Sequence, residues 1–365
     1  MSYPVAKAVP VGAGGGGSVQ AHAAPIPTGG GAFLHDGIRE DAARDYLNNL
    51  GWPSGMIDEM IRNIKDTPYR FFIIDDSGSM SANDGNRLMK PKTGPVKLVK
   101  CSRWAELAAA MTFHSEFTNA AMAPSEFRVL NGGYPIIIGE EEDDGEGLRK
   151  FSDLLERGPS GMTPLCAQIR EVVAKITQMA PTLRSRNQRV SVTIFTDGQA
   201  SDGDMSAALR ALERLPVWTV IRLCTDEEAV VDYWNNIDNN IELEMDVLDD
   251  LSGECEEVMS NNDWLTYGEQ VHRLREFGCH RKELDLLDES LLSPDQMRST
   301  LAVILGGKQK DYPHPEVDFP GLIAKVKGEL ARQPMVWSPR RKTMVPCIDI
   351  RALQRRYGKS KCSIM

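Results

Sequence analysis

The middle of the chain alternates short, continuous apolar runs with longer segments of mixed polarity. Residues 71–74 and 190–195 are almost entirely apolar or β-branched, as in strands that are buried on both faces of a parallel sheet. Residues 104–113 and 164–179 repeat apolar side chains at helical spacing. A turn signal, Asn-Gly-Gly at 131–133, adds a hairpin. The order predicts an α/β fold with a doubly wound, mostly parallel sheet and one antiparallel edge strand.

The segments on either side of this unit differ from it in composition. Residues 1–32 are rich in Gly, Ala and Pro, and a disordered tail is expected because such sequence buries too little apolar surface to offset its conformational entropy. Apolar residues recur at helical spacing on both flanks, which predicts N- and C-terminal helical extensions. The predicted domains are the tail at 1–32, a small helical hairpin at 33–67, the α/β domain at 68–262, a helical extension at 263–337 and a basic tail at 338–365.

Oxygen-rich loops follow two of the predicted strands, and a third such loop precedes a predicted helix. Ligands of open α/β sheets bind outside the carboxyl ends of the strands, where such loops lie. The segments offer carboxylates and hydroxyls and contain no His or Cys, an all-oxygen set that suits a hard cation such as Mg²⁺ or Mn²⁺. The three loops are Asp75-Asp76-Ser77-Gly78-Ser79, Gly161-Met162-Thr163-Pro164 and Phe195-Thr196-Asp197-Gly198.

This set of motifs resembles the metal-ion-dependent adhesion site of von Willebrand factor A (vWA) domains. The resemblance covers about residues 68 to 262 and rests on D-x-S-x-S, a Thr in a G-x-T-P loop, and T-D-G after a strand. It implies a Rossmann-like vWA fold and a bound Mg²⁺ or Mn²⁺ with one coordination position open to an acidic group of a protein partner. The implied metal-site residues are Asp75, Ser77, Ser79, Thr163 and Asp197.

Each loop also has a simpler interpretation when it is taken alone. Asp75 and Ser77 could form an Asx-type turn after a strand. Thr163 could be the N-cap of a helix with Pro164 as its first residue, and Asp197 could lie in a plain turn before Gly198. The combination on matching strands, rather than any single motif, indicates the metal site.

Composition and charge narrow the classes of protein. A chain of 365 residues with 41% hydrophobic and 26% charged residues is typical of a globular protein. The sequence contains no run of 18 apolar residues, so no membrane span is predicted. The first residues show no secretory signal pattern. The seven cysteines are scattered, without a C-x-x-C motif, so reduced thiols of a cytoplasmic protein are expected. With a formal net charge of −10, no nucleic-acid partner is expected.

The C-terminal residues are basic, whereas the chain as a whole is acidic. The chain ends Lys361-Cys362-Ser363-Ile364-Met365, a C-a-a-X box of the farnesyl type that predicts prenylation of Cys362. Residues 338–365 carry eight basic side chains against one acidic, and such a cluster is drawn to anionic lipid at about 1 kcal/mol per basic residue. The alternative is a chance terminal Cys on a basic tail that binds nucleic acid or nothing.

These features favour a membrane-tethered cytosolic vWA module that binds an acidic group of a protein partner through a divalent metal. One alternative is a metal-dependent hydrolase that uses the same oxygen ligands, although no His lies near the three loops to act as a general base. Another is a structural scaffold in which the metal is merely stabilising. The expected location is the cytosolic face of a membrane.

Overall fold

A computed structural model of the protein describes residues 37–91, 94–140, 144–225 and 227–358. The predicted tail at 1–32 and the predicted lipidation residue Cys362 lie outside the described residues.

The strands of the described ranges form one large sheet and two small ones. Five-residue and seven-residue strands at the centre of the large sheet are buried throughout, as expected for strands that are covered on both faces. The strands are β1 (Arg70–Ile74), β2 (Gly85–Met89), β3 (Lys97–Cys101), β4 (Ser125–Val129), β5 (Ile136–Ile138), β6 (Val190–Thr196), β7 (Val217–Leu223), β8 (Met245–Leu248), β9 (Val336–Ser338) and β10 (Thr343–Val345).

The large sheet has the strand order β5-β4-β1-β6-β7-β8. β1 pairs in parallel with β4 on one side, with Phe72 opposite Phe127, and with β6 on the other, with Phe72 opposite Thr193. β5 is antiparallel to β4, with Ile138 opposite Ser125. The chain moves from β1 toward one edge and then returns to β6 on the other side of β1, so the strand order reverses between β1 and β6. The predicted fold class is confirmed.

Helices cover both faces of this sheet, and others flank the α/β unit on the N- and C-terminal sides. Within the described ranges they are α1 (Glu40–Asn49), α2 (Ser54–Asp66), α3 (Arg103–Ala121), α4 (Glu146–Glu156), α5 (Leu165–Ser185), α6 (Met205–Arg210), α7 (Glu228–Asn240), α8 (Leu251–Asn262), α9 (Glu269–Glu276), α10 (Lys282–Glu289), α11 (Pro294–Leu305), α12 (Pro315–Leu330) and α13 (Ile350–Tyr357).

Alternate side chains of β1 enter two different cores, because successive side chains of a strand point to opposite faces. Phe71 and Ile73 pack with residues of α5, α6 and α7. Phe72 and Ile74 belong to the other core, with residues of α3 and α4. Buried residues of α1, α2 and α9 to α13 are part of this second core. The flanking helices therefore pack against the same face of the sheet as α3.

Two observed features were not among the predicted elements. β2 and β3 form an antiparallel hairpin between β1 and α3, and only Gly85 of β2 is buried, so its sequence carries little hydrophobic pattern. Residues 338–358, the first part of the predicted basic tail, are folded. β9 pairs with β10, and α13 buries Ala352 and Leu353.

Candidate metal site

The loops after β1 and β6 lie side by side because the two strands are parallel neighbours. The backbone N–H of Asp75 donates to the carbonyl of Phe195 (2.9 Å). The third loop joins them through Gly78 N–H, which donates to Gly161 O at 3.2 Å. All three loops thus meet at the carboxyl edge of the sheet, at the point where the strand order reverses, which is the usual ligand position in doubly wound folds.

Three of the predicted site residues form a hydrogen-bonded chain across these loops. The hydroxyl oxygens of Ser77 and Ser79 are 3.0 Å apart, and the Ser79 hydroxyl donates to Asp197 Oδ1 (2.8 Å). A short 3₁₀ turn at Gly78–Ser81 carries Ser79 toward β6. The chain joins side chains that are 118 residues apart in sequence, and it presents hydroxyl and carboxylate oxygens together.

Asp75, the fourth predicted ligand, is a buried carboxylate whose hydrogen-bond donors are uncharged. Oδ1 accepts from the backbone N–H of Ser77 (2.9 Å), and Oδ2 accepts from the hydroxyl of Thr196 (2.7 Å). Burial raises the pKa of Asp75 above the ordinary aspartate value, and the charge of Asp197 raises it further, although the two hydrogen bonds act in the opposite direction. The bond to Ser77 is the Asx-type turn, but the bond to Thr196 also ties Asp75 to β6.

Thr163, the fifth predicted ligand, lies on the neighbouring loop and is held through its backbone. Its N–H donates to the hydroxyl of Ser201 (3.1 Å), and its carbonyl accepts from Ser201 N–H (2.9 Å). The interpretation of Thr163 as an N-cap is wrong, because α5 begins at Leu165 with Pro164 in the N-cap position and no side-chain cap bond. The carboxylate of Asp202 instead accepts from the first free N–H groups of α5, at 3.0 and 2.7 Å.

Arg103 is a site residue that the sequence analysis missed. It is the first residue of α3, its side chain is 5% exposed, and its Nη1 donates to Asp197 Oδ2 at 3.0 Å. Nε donates to Asp84 Oδ1 (2.8 Å), and Nη2 donates to Glu227. The hydrogen bonds to Asp84 hold the pKa of Arg103 above its ordinary value. The sequence signal that could have identified Arg103 is its position at the start of the helix after β1. This signal is weakened because the β2–β3 hairpin separates Arg103 from β1 in sequence.

The donor set fits the cation that the resemblance implies. The side chains of the predicted ligands supply only carboxylate and hydroxyl oxygens, which are the ligands of Mg²⁺ and Mn²⁺ rather than of softer metals. The raised pKa of Asp75 and its uncharged partners describe a buried negative charge that a divalent cation would stabilise.

Asp76 lies between the predicted ligands Asp75 and Ser77 in sequence. Its Oδ1 accepts from the backbone and side-chain nitrogens of Asn131, at 2.9 and 2.7 Å, and Asn131 in turn donates to the carbonyl of Met162. Because the Asp76 carboxylate braces a loop, Asp76→Asn should weaken Mg²⁺ binding far less than Asp75→Asn, as measured by isothermal titration. An equal loss in the two variants would show that the ligand register is displaced by one residue.

A separate acidic cluster away from these loops was not singled out from the sequence. Carboxylate oxygens of Glu254, Glu257 and Asp288 all lie within 4.8 Å of one another. The buried Arg275 donates to Glu254 (2.6 Å) and Asp288 (3.3 Å). A guanidinium therefore already supplies positive charge at this cluster, which is accounted for as a buried ion-pair network.

Comparison with known proteins adds little to this geometry. No model of a known protein family matches the chain, and no curated protein matches it. One similar solved structure is the crystal structure of the SpRpn10 VWA domain, with 12% sequence identity and a TM-score of 0.31, over 50% of this chain and 86% of that chain. The sheet order itself, with its single antiparallel edge strand, is consistent with a vWA-like fold.

Proposed function

We propose that this protein is a metal-dependent protein-binding module. Mg²⁺ or Mn²⁺ would be held at the carboxyl edge of the sheet, and an Asp or Glu of a protein partner would complete its coordination. The observation that supports this most directly is the chain of hydrogen bonds from Ser77 through Ser79 to Asp197 beside the buried Asp75. The ligands proposed are Asp75, Ser77, Ser79, Thr163 and Asp197.

A binding role is favoured over hydrolysis by the state of the candidate proton-transfer groups among the described residues. Hydrolysis at such a site needs a general base or a nucleophile with a suitable pKa. His114 and His272 are fully buried and paired with Glu276. Burial raises the pKa of the Cys224 thiol, and the charges of Asp197 and Asp75 raise it further. The thiol therefore stays protonated. These groups do not provide the proton transfer that a hydrolase requires.

The membrane half of the proposal rests on the sequence of the C-terminus and on the segment that leads to it. Over the residues that the structure describes, none of the helices combines the length and the apolar character needed to cross a bilayer. A lipid on Cys362 with the basic residues of α13 would supply the two signals that stable anchoring requires. The side chain of Arg355 remains 65% exposed despite its ion pair with Asp263, and exposed pairs of this kind are weak.

The proposal is tested by affinity capture from a eukaryotic extract. Wild-type protein, Asp75→Ala and the control Asp76→Asn are each used as bait, with Mg²⁺ and with chelator. Partners should be captured by wild type and by Asp76→Asn in Mg²⁺, and lost with chelator or with Asp75→Ala. Replacing a candidate acidic residue of the captured partner should abolish the same interaction. Capture that is indifferent to both chelator and Asp75→Ala would rule out a metal-bridged contact.

A further inference from the structure

Arg103 is a buried residue whose side chain contacts a proposed ligand of the metal site, Asp197. The backbone N–H of Arg103 donates to the carbonyl of Ala82 (2.9 Å), and Ser102 caps the helix that Arg103 begins, accepting from Ala105 N–H at 3.2 Å. The backbone at Arg103 is thus fixed on both sides. The side chain enters the site from a rigid helix terminus and is held at a defined position.

The guanidinium contacts three carboxylates that come from three separate segments. Asp84 precedes the β2–β3 hairpin, Asp197 follows β6, and Glu227 is the residue before α7. Asp84 and Glu227 are partly exposed, with 38% and 58% of their side-chain surface accessible, whereas the Asp197 side chain is 1% exposed. The contact with Asp197 is therefore the desolvated one, where a charge pair has most effect.

Both oxygens of Asp197 are occupied in this arrangement. Oδ1 accepts from the Ser79 hydroxyl and Oδ2 accepts from Arg103. A divalent cation that bound Asp197 would therefore lie close to a fixed positive charge that shares the same carboxylate. Like charges in a buried site repel one another, so the arginine must reduce the affinity of the site for metal.

We propose that Arg103 is an internal counter-cation of the metal site. It holds Asp197 in place when metal is absent and lowers the affinity for divalent cation when metal is supplied. The protein thereby tolerates the metal-free state and responds to metal concentration, rather than retaining the ion permanently. This inference rests on the metal site of the proposed function, and it concerns the charge of one residue.

The alternative is that Arg103 only positions Asp197 for the metal. The two roles predict opposite effects of removing Arg103 on the affinity for metal. If Arg103 acts through its charge, its removal tightens metal binding and destabilises the metal-free protein. If it acts only as a support, its removal weakens metal binding because Asp197 loses its orientation. Arg103→Gln removes the charge, and Arg103→Lys keeps the charge but loses the planar fork.

The experiment is isothermal titration of the full chain with Mg²⁺, together with thermal unfolding in chelator and in saturating Mg²⁺. Arg103→Gln should bind Mg²⁺ at least about tenfold more tightly than wild type, equivalent to about 1.4 kcal/mol. Arg103→Lys should stay within about threefold of wild type, because the charge remains. Arg103→Gln should also unfold at a lower temperature than wild type in chelator, with Mg²⁺ restoring part of the loss.

Arg189→Gln is the matched control for the loss of one positive charge. Arg189 pairs with Glu244 (2.7 Å) and comes immediately before β6, at the opposite edge of the sheet from the loops. Its removal should leave Mg²⁺ affinity unchanged. If Arg103→Gln does not fold in chelator, the same comparison is made in an Asp84→Asn background, which removes one of the carboxylates left without a partner.

The outcomes separate this inference from the proposed function. Mg²⁺ binding by wild type with equal or weaker binding by Arg103→Gln would overturn the counter-cation role alone. Binding by Arg103→Gln but not by wild type would support the role of Arg103 and contradict a metal-dependent function of the natural protein. Absence of binding in both proteins would overturn both proposals.

Discussion

Asp75→Ala should abolish Mg²⁺ binding while the thermal unfolding of the metal-free protein changes by no more than about 3 °C. The substitution removes two hydrogen bonds to a carboxylate, worth about 1.5–3 kcal/mol each, but it also removes a fully buried charge whose donors are neutral. The Thr196 hydroxyl keeps the carbonyl of Gly198 as a second acceptor (3.4 Å). The losses and the gain therefore offset each other in the fold, whereas the proposed metal site loses one of its ligands.

The pH dependence of this effect has a definite sign. Burial raises the pKa of Asp75 in the folded protein, so the folded state holds its proton more firmly than the unfolded chain does. The contribution of Asp75 to the metal-free stability is thus most favourable at acid pH and is lost as the pH rises through the folded-state pKa. In chelator, Asp75→Ala should gain stability relative to wild type between acid and neutral pH, which differential scanning calorimetry would measure.

A second variant and a matched control sharpen this test. Thr163→Ala should also lose most of its Mg²⁺ affinity with little effect on folding, because the hydrogen bonds that fix Thr163 come from its backbone. Thr177→Ala removes a hydroxyl from the exposed side of α5, where it donates to Val173 O (2.7 Å), and should bind Mg²⁺ like wild type. Equal Mg²⁺ binding by wild type and Asp75→Ala would contradict the assignment of the site.

The sequence was informative wherever a strand is buried on both faces. Apart from Arg70 and Ser191, β1 and β6 consist of apolar or β-branched residues, because helices cover both faces of the sheet. Once these two strands are placed in one parallel sheet, the loops after Ile74 and Thr196 must emerge at the same edge. The convergence of Asp75 and Asp197 could therefore be predicted without knowing any side-chain contact.

Arg103 could not be predicted in the same way, because its role depends on contacts between distant segments. The partners of its guanidinium lie 19, 94 and 124 residues away in sequence. Local pattern indicates only that Arg103 begins a helix. The three carboxylates meet around it because the β2–β3 hairpin, the end of β6 and the start of α7 are adjacent in the folded chain, and hydrophobic periodicity does not encode that adjacency.

The charge of the C-terminal segment predicts a basic tail, but apolar residues of the segment are part of the core. Ile348, Ala352 and Leu353 are buried in the core beside α3, while Arg355 and Arg356 form ion pairs with Asp263, at 3.0 and 2.9 Å. α13 is therefore an amphipathic helix whose apolar side packs on the body of the protein. The basic residues lie on the exposed side of α13, so a count of charges in the sequence does not detect its buried apolar side.

Cys362→Ser should release the protein from membranes at any salt concentration, because the lipid supplies the part of the binding free energy that salt does not screen. One lipid chain alone gives only marginal, reversible binding. The basic residues near Cys362 add an attraction to anionic headgroups that is screened over about 8 Å at physiological ionic strength. Neutralising Arg355, Arg356, Lys359 and Lys361 together should therefore cause partial release, which cell fractionation with salt washes would measure.

The ion pairs of α13 supply the control for that charge variant. Neutralising Arg355 and Arg356 also breaks their contacts with Asp263, so release could follow from a loosened helix rather than from lost headgroup attraction. Asp263→Asn breaks the same contacts and leaves the basic side chains free to meet lipid, so membrane association should be retained or strengthened. Mass spectrometry of the C-terminal peptide decides the chemistry. An unmodified peptide ending in Met365, from a eukaryotic host, would remove the membrane tether and leave the metal-dependent binding module to be judged on its own.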